Sequence, residues 1–422
     1  MKGRSVAGRV TAFLLLASGA VPVARAGSTK VNFDFFFAAL PESGSWRESA
    51  DYGYVWQPQI ATTKADWRPY ADGSWSQTDQ GWTWVSHEDF GWATCHYGRW
   101  AKIPDTGWVW IPGFEWGPAW VAWRASPKFT SHRVPVPPRA ASQTLAVESE
   151  EVIGWAPLPP EAIFHTATGI SALVEVVCDI GPAAYNFVPA ANFGDAGLLP
   201  WIYRPSSNFG FMGSTVSCTN IAYRFESGCI WVGGPSYSAL RRVVQQPIAQ
   251  LRLVAQAVGP APPKGGYANR VAGDVYAVIA PRITPPGGLD PRTIGIPADN
   301  LTIKPPVAGP ALAASRPDRG WAGAPTDSMP VEAVRAQMRQ QAADAPKIAM
   351  PPPASSTSVF VIKSWAPFAG PPRARPPRPR SRNKRPPVTR AAPVPPSIPT
   401  PPPPPKKPAT QSAGDRAPGR GG

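Results

Sequence analysis

The stretch Trp67-Arg-Pro-Tyr-Ala-Asp-Gly-Ser-Trp75-Ser-Gln-Thr-Asp-Gln-Gly81-Trp-Thr-Trp84 decides the fold. Two tryptophan-bearing runs flank a polar turn that ends in Gly81, the composition of a β-hairpin whose glycine takes a positive φ. Folding it back places Trp75 opposite Trp84. The same arrangement recurs. Gly98-Arg99-Trp100 repeats Gly73-Ser74-Trp75 after 25 residues, and Gly107-Trp108-Val109-Trp110 repeats Gly81-Trp82-Thr83-Trp84 after 26. The second turn, Lys102-Ile-Pro-Asp-Thr-Gly107, places Trp100 opposite Trp110. Gly53-Tyr54-Val55-Trp56-Gln57-Pro58 echoes Gly107 to Pro112 one unit earlier. A fixed period with constant internal spacing marks one supersecondary unit used several times. Fourteen of the 18 tryptophans lie between Trp46 and Trp155, so the repeat is where they are used. Glycine, proline and tryptophan at this density leave little room for helix.

Ahead of the repeats, residues 1–26 read as a signal peptide. Lys2, Arg4 and Arg9 form a positive start, Val10 to Ala17 is a short apolar run, and Ala24-Arg25-Ala26 is a cleavage site before Gly27. The run is too short to anchor in a bilayer. The expected compartment is therefore the periplasm or the exterior, with envelope association.

Composition divides the rest. Residues 27–133 form the Trp-rich hairpin domain, entered by an apolar stretch from Val31 to Leu40 that reads as a strand. Residues 134–160 are a Pro-rich connector, and 161–280 a second β-rich domain. Its expected strands are Ala172–Ile180, Ala184–Pro189, Thr215–Phe225, Cys229–Val232, Gln250–Ala257 and Asp274–Ala280, with a short helix available to Ser238–Gln246 before Pro247. Residues 281–370 read as linker carrying a helix at 329–345 and a strand at 358–364. Residues 371–422, with 18 prolines and 12 basic residues, have nothing to bury and are expected to be a disordered coil. The fold class is mainly β, with a long disordered Pro-rich C-terminal region.

Several of these motifs resemble a tryptophan-rich family of exported bacterial proteins known only as a domain of unknown function. The likeness is carried by Trp67-Arg-Pro-Tyr-x-x-Gly-x-Trp75, Phe90-Gly-Trp-Ala93, His96-Tyr-Gly-Arg-Trp100, Gly107-Trp-x-Trp-x-Pro-Gly113, Trp116-x-Pro-Ala-Trp-Val-x-Trp-Arg124 and Gly154-Trp-Ala-Pro-Leu-Pro-Pro160. It covers about Val31 to Pro160 and continues more weakly to Gly233-Gly-Pro235. The resemblance implies an exported protein with a Pro-rich C-terminus. It brings no catalytic residue.

The chemistry offered is sparse. His87, His96, His132 and His165 form no metal-ligating spacing, and no phosphate-binding, dinucleotide or nucleophile-elbow motif occurs. No metal or cofactor is expected. Glu88, Asp89 and Glu115 could supply the carboxylate pair of a glycan hydrolase, chemistry that depends on their separation. Most tryptophans should be core. If the hairpins instead keep one face open to bind sugar or partner prolines, Tyr70, Trp75, Trp84, His96, Tyr97, Arg99, Trp100 and Trp110 would form it, with Tyr70, His96, Tyr97 and Arg99 at a mixed polar surface. Of Cys95, Cys178, Cys218 and Cys229, the pair Cys218–Cys229 flanks a hairpin and is the favoured disulfide, although four cysteines permit three connectivities.

Charge separates from the folded part. The chain carries +15, and the 12 Lys and Arg against Asp415 in 371–422 account for +11 of it. Such a tail suits an envelope polyanion or glycan, another envelope protein, or a membrane surface. Export argues against nucleic acid. The expected function is a non-enzymatic envelope protein of binding or scaffolding type, with a cell-wall glycan hydrolase as the alternative.

Overall fold

Four hairpins, each carrying a directly opposed tryptophan pair, organise the protein in a computed structural model. The pairs are Trp46–Trp56, Trp75–Trp84, Trp100–Trp110 and Trp123–Trp155. The structure describes residues 30–40, 42–130, 150–259, 261–287, 289–290, 293–295, 305–321 and 331–344. All of these fall within one compact unit.

The first strands are β1 (Lys30–Asn32), β2 (Gly44–Ser49), β3 (Gly53–Pro58), β4 (Gly73–Thr78), β5 (Gly81–Ser86), β6 (Arg99–Ile103), β7 (Gly107–Ile111), β8 (Val121–Ala125) and β9 (Val152–Pro157). They are followed by β10 (Ile170–Ser171), β11 (Asn186–Pro189), β12 (Val216–Ser217), β13 (Asn220–Arg224), β14 (Cys229–Gly233), β15 (Gln250–Ala255), β16 (Arg270–Ala272), β17 (Val275–Val278) and β18 (Arg282–Thr284). The helices are short: α1 (Asp34–Ala39), α2 (Gln59–Thr63), α3 (Gly91–Thr94), α4 (Val174–Val177), α5 (Asn208–Ser214), α6 (Tyr237–Leu240) and α7 (Val331–Asp344).

The repeated hairpins do not stay together. Hairpins β2–β3 and β6–β7 make one four-stranded sheet in the order β2-β3-β7-β6, and β8–β9 joins β11 and β12 in a second. The β4–β5 hairpin sits in the middle of an eight-stranded sheet, β10-β13-β14-β5-β4-β15-β17-β16. The tryptophans converge instead. Trp75 lies 4.4 Å from Trp123, 5.0 Å from Trp84 and 5.8 Å from Trp155, ring to ring. Edge-on and tilted contacts of this kind add about 0.5–1.5 kcal/mol per pair beyond burial. Trp56, Trp84, Trp110, Trp123 and Trp155 have no exposed surface at all. The tryptophans are the core of the fold.

Several local expectations change. Val31–Leu40 is mostly helix α1, because Phe33, Phe36, Phe37 and Leu40 fall at i, i+3, i+4 and i+7 and are all buried. Ala172–Ile180 is not a strand either. It turns as α4, which sets Glu175 into the core and leaves Leu173 and Val177 outside. The short helix near Ser238 is the single turn α6. The second half of the 134–160 connector is strand β9, drawn in by pairing with β8. Boundaries at residues 133 and 160 leave no mark on the sheets: Val232 pairs with Gly81, and Gln250 and Leu251 pair with Gln77 and Thr78.

Part of the expected linker is also structural. The outer face of β3, β6 and β7 presents Val55, Ala101, Ile103, Val109 and Ile111, and Leu312 and Ile294 pack on it. Residues 305–321 strap this sheet at both edges. Gly309 and Leu312 donate N–H groups to Trp46 and Glu48 of β2, and Asp318 donates to Lys102 of β6. An unpaired edge is thereby covered. The expected helix at 329–345 appears as α7. The leader at 1–26, the strand at 358–364 and the tail at 371–422 lie outside the described residues. Among the described residues no helix is long and apolar enough to cross a membrane.

Candidate functional site

Three arginines are buried among the described residues, and their different partners locate the site. Arg124 uses every donor. Its Nη1 meets both Glu175 oxygens at 2.8 and 2.7 Å, Nε reaches Thr215 Oγ1, and Nη2 reaches the carbonyls of Met212 and Thr215. Arg68 joins two loops by donating to the carbonyls of Tyr185 and Tyr203. Arg99 is different.

Arg99 is 4% exposed, and its guanidinium carbon lies over the Trp120 ring, 3.8 Å from the centroid. Nε donates to the Ala162 carbonyl at 3.1 Å and Nη1 to its neighbour's carbonyl, Gly98, at 2.7 Å. Nη2 has no protein partner among the described residues, and no carboxylate ion-pairs with the group. Burial lowers its pKa to about 9, against the attraction of Tyr70, Glu115 and Cys178. It remains a cation at neutral pH. Beside it is a cavity of about 40 Å³ lined by Arg99, Glu115, Phe114, Trp120 and Phe164, among others. Thr293 and Ile294 belong to the lining as well.

Two glycines build this place. Gly98 has φ +64°, and a Cβ on it would meet the Ile111 carbonyl oxygen at 2.0 Å. A Cβ on Gly113 would meet Gly98 Cα at 2.8 Å. The backbones of the two repeat motifs therefore press together, setting Arg99 beside Phe114 and Glu115.

The other residues singled out from sequence are internal. Tyr70, Trp75, Trp84, His96, Tyr97, Arg99, Trp100 and Trp110 are all buried, so they cannot present an open stacking face. The expectation that Tyr70, His96, Tyr97 and Arg99 form a mixed polar surface is corrected. Most of their polar atoms serve backbone carbonyls, while His96 Nε2 and Arg99 Nη2 have no partner among the described residues. Tyr70 donates its hydroxyl to Cys95, and Tyr97 donates to Pro281 at 2.6 Å. His96 Nδ1 pairs with the Gly117 carbonyl while its ring stacks on Trp116, and burial holds its pKa down at about 4.

The carboxylates do not assemble. Glu88 accepts the Trp67 indole N–H at 2.7 Å, and burial raises its pKa to about 8, with Asp72 adding to the rise. Asp89 is exposed. Glu115 has exposed surface at the cavity, yet desolvation of its carboxyl raises its pKa against the pull of Arg99 and Arg282. Among the described residues no group of three His, Cys, Asp or Glu is placed to hold a metal ion.

The cysteines are free thiols. Asn220 faces Gly233 and Arg224 faces Cys229, so Cys218 and Cys229 lie at opposite ends of their hairpin. The four steps of strand from Asn220 to Arg224 alone span roughly 14 Å at about 3.4 Å each, beyond disulfide reach.

Trp120, Phe164, Thr293 and Ile294 were missed by sequence reasoning. The available signal was the pair of motif glycines flanking Arg99 and Glu115. Residues 37–162 match a family of proteins of unknown function (DUF6600), the same stretch that the tryptophan motifs mark. Six of the nine cavity-lining residues fall within that match. No curated protein and no solved structure matches the chain.

Proposed function

We propose that this chain is an exported, non-enzymatic protein of the cell envelope, of binding or scaffolding type, whose basic tail contacts an anionic envelope polymer or a partner envelope protein. The observation that carries the reading is the segregation of charge: +11 of the +15 lies in residues 371–422. Polyanion contact is the use such a segment suits best. The buried tryptophans support a scaffold rather than a sugar platform, because their faces are already taken by one another.

The test removes residues 371–422 and measures retention on isolated envelope material at low and at physiological salt. The proposal expects the deletion to weaken retention, and salt to weaken that of the intact chain, since exposed charges are screened over about 8 Å at 0.15 M. Retention indifferent to both overturns it. A second reading, glycan hydrolysis, draws on Glu88, whose raised pKa suits a general acid. Release of new reducing ends from envelope glycans, lost in Glu88→Gln, would favour that reading instead.

A further inference from the structure

We propose that the cavity beside Arg99 is a binding site for the carboxylate of a small monoanion, held by the guanidinium fork against aromatic walls. The site belongs to the folded part and stands independently of what the tail contacts.

A buried cation needs compensation for the hydration it has lost. Arg124 receives it from Glu175, with both side chains inaccessible. Arg68 receives it from two carbonyls that occupy both terminal nitrogens. Arg99 has two carbonyls on one side, a Trp120 face on another, and no partner for Nη2. It is the only one of the three that lines the cavity. Its position over Trp120 and its two carbonyl bonds hold the guanidinium in place, so a ligand meets donors already positioned. A planar carboxylate is the anion whose two oxygens match a guanidinium edge.

Size and wall chemistry narrow the ligand. About 40 Å³ accommodates roughly a few water-sized groups, enough for a carboxylate with a short apolar substituent. Phe114, Trp120, Phe164 and Ile294 offer that substituent an apolar environment. Glu115, exposed and on the same cavity, opposes further negative charge. Phosphate and sulfate, which bring more charge and a tetrahedral outline, fit poorly. Two sources share this chemistry: a free short-chain carboxylic acid, and the C-terminal carboxylate of a peptide.

Calorimetric titration of the full chain with acetate, N-acetylalanine and sulfate tests the site. Acetate stands for the free acid and N-acetylalanine for the peptide terminus. Saturable binding of at least one carboxylate is expected, with sulfate at least tenfold weaker. Glu115→Gln removes the opposing charge from an exposed position, and should tighten carboxylate binding about three- to tenfold. Arg99→Lys keeps a charge but loses the planar fork, and should weaken it at least tenfold. Binding of acetate alone assigns the free acid, and binding of N-acetylalanine assigns the peptide terminus. Because Arg99→Lys could compromise folding through its lost carbonyl bonds, Glu115→Gln carries the decision. No carboxylate binding in wild type and Glu115→Gln, equal affinity in these two, or sulfate binding as tightly as acetate overturns the proposal. Arg99 would then be a bracket between Gly98 and Ala162.

Discussion

Arg124 and Glu175 meet through two hydrogen bonds of 2.8 and 2.7 Å, with essentially no surface of either side chain exposed. Glu175 also accepts the Tyr185 hydroxyl at 2.6 Å, and so joins α4 to β8 and to the entrance of β11. Removing one partner strands the other charge in the core, which costs about 3–5 kcal/mol. Glu175→Gln is expected to lower the unfolding free energy by that amount in urea. Arg124→Met combined with Glu175→Leu should cost less than Glu175→Gln alone, because no unpaired ion remains. A double variant less stable than the single one would show that the pair contributes net attraction beyond mutual neutralisation.

Trp84 and Trp110 hold equivalent places in two hairpins, yet only one anchors a loop. The Trp110 indole N–H donates to the Tyr97 carbonyl at 2.8 Å, whereas Trp84 Nε1 has no acceptor among the described residues. Truncating either to alanine should cost about 3–5 kcal/mol. Phenylalanine separates them. Trp110→Phe leaves a buried carbonyl without its donor, worth about 1–3 kcal/mol, while Trp84→Phe abandons no bond. Trp110→Phe should therefore be the less stable by about that margin. Equal denaturation midpoints would show that the indole bond contributes nothing.

These hairpins were legible because their determinants are local. Gly81 and Gly107 take φ of 86° and 90° at the turns, and the pairings Trp75–Trp84 and Trp100–Trp110 follow from counting back. The failures have equally concrete causes. The Phe33 to Leu40 stretch carries apolar residues at both helical and alternating spacing, and only the core around Trp92 and Trp110 selects the helix. That β15 would run beside β4 depends on residues more than 170 apart, for which neither strand carries a local signal. The Arg99 cavity needs Phe164 and Ile294 brought from distant segments. Arg99 itself was visible, but its burial was not.

Two groups that the fold desolvates give stability opposite pH dependences. His96 has an ordinary pKa of 6.5, which burial lowers to about 4 in the fold. Above 6.5 both states are neutral there and its contribution is whole. Between 6.5 and 4 the unfolded chain takes up a proton that the native state refuses, so stability falls as pH falls, by about 3 kcal/mol at most. Glu88 runs the other way, from 4.5 when unfolded to about 8 when folded. Across that window the unfolded chain releases a proton that the native state keeps, so stability falls as pH rises. NMR titration should find the His96 ring neutral down to about pH 4. In Glu88→Gln, the urea midpoint should decline less between pH 5 and 8 than in wild type. An unchanged slope would remove Glu88 from the account.

Helix α7 buries Val334, Met338 and Ala342 along one stripe and sets Gln341 Oε1 within 3.2 Å of Arg124 Nη2. Arg335 adds a bond to Asp179 and lies over the Trp321 ring. A 14-residue helix of this composition is marginal by itself, so its order depends on the surface that it covers. Burying Val334 and Met338 contributes about 3–6 kcal/mol together, at about 1.5–3 per side chain. A chain ending at Asp344 retains every described element and should melt like the full-length protein. One ending at Trp321 loses α7, exposes the apolar residues beneath it and takes one acceptor from Arg124, and should lose most of that free energy. Thermal and urea unfolding of the two truncations decide the matter. If the shorter one matches the longer, α7 rests on the fold without stabilising it, and the Arg124–Glu175 pair does not depend on its cover.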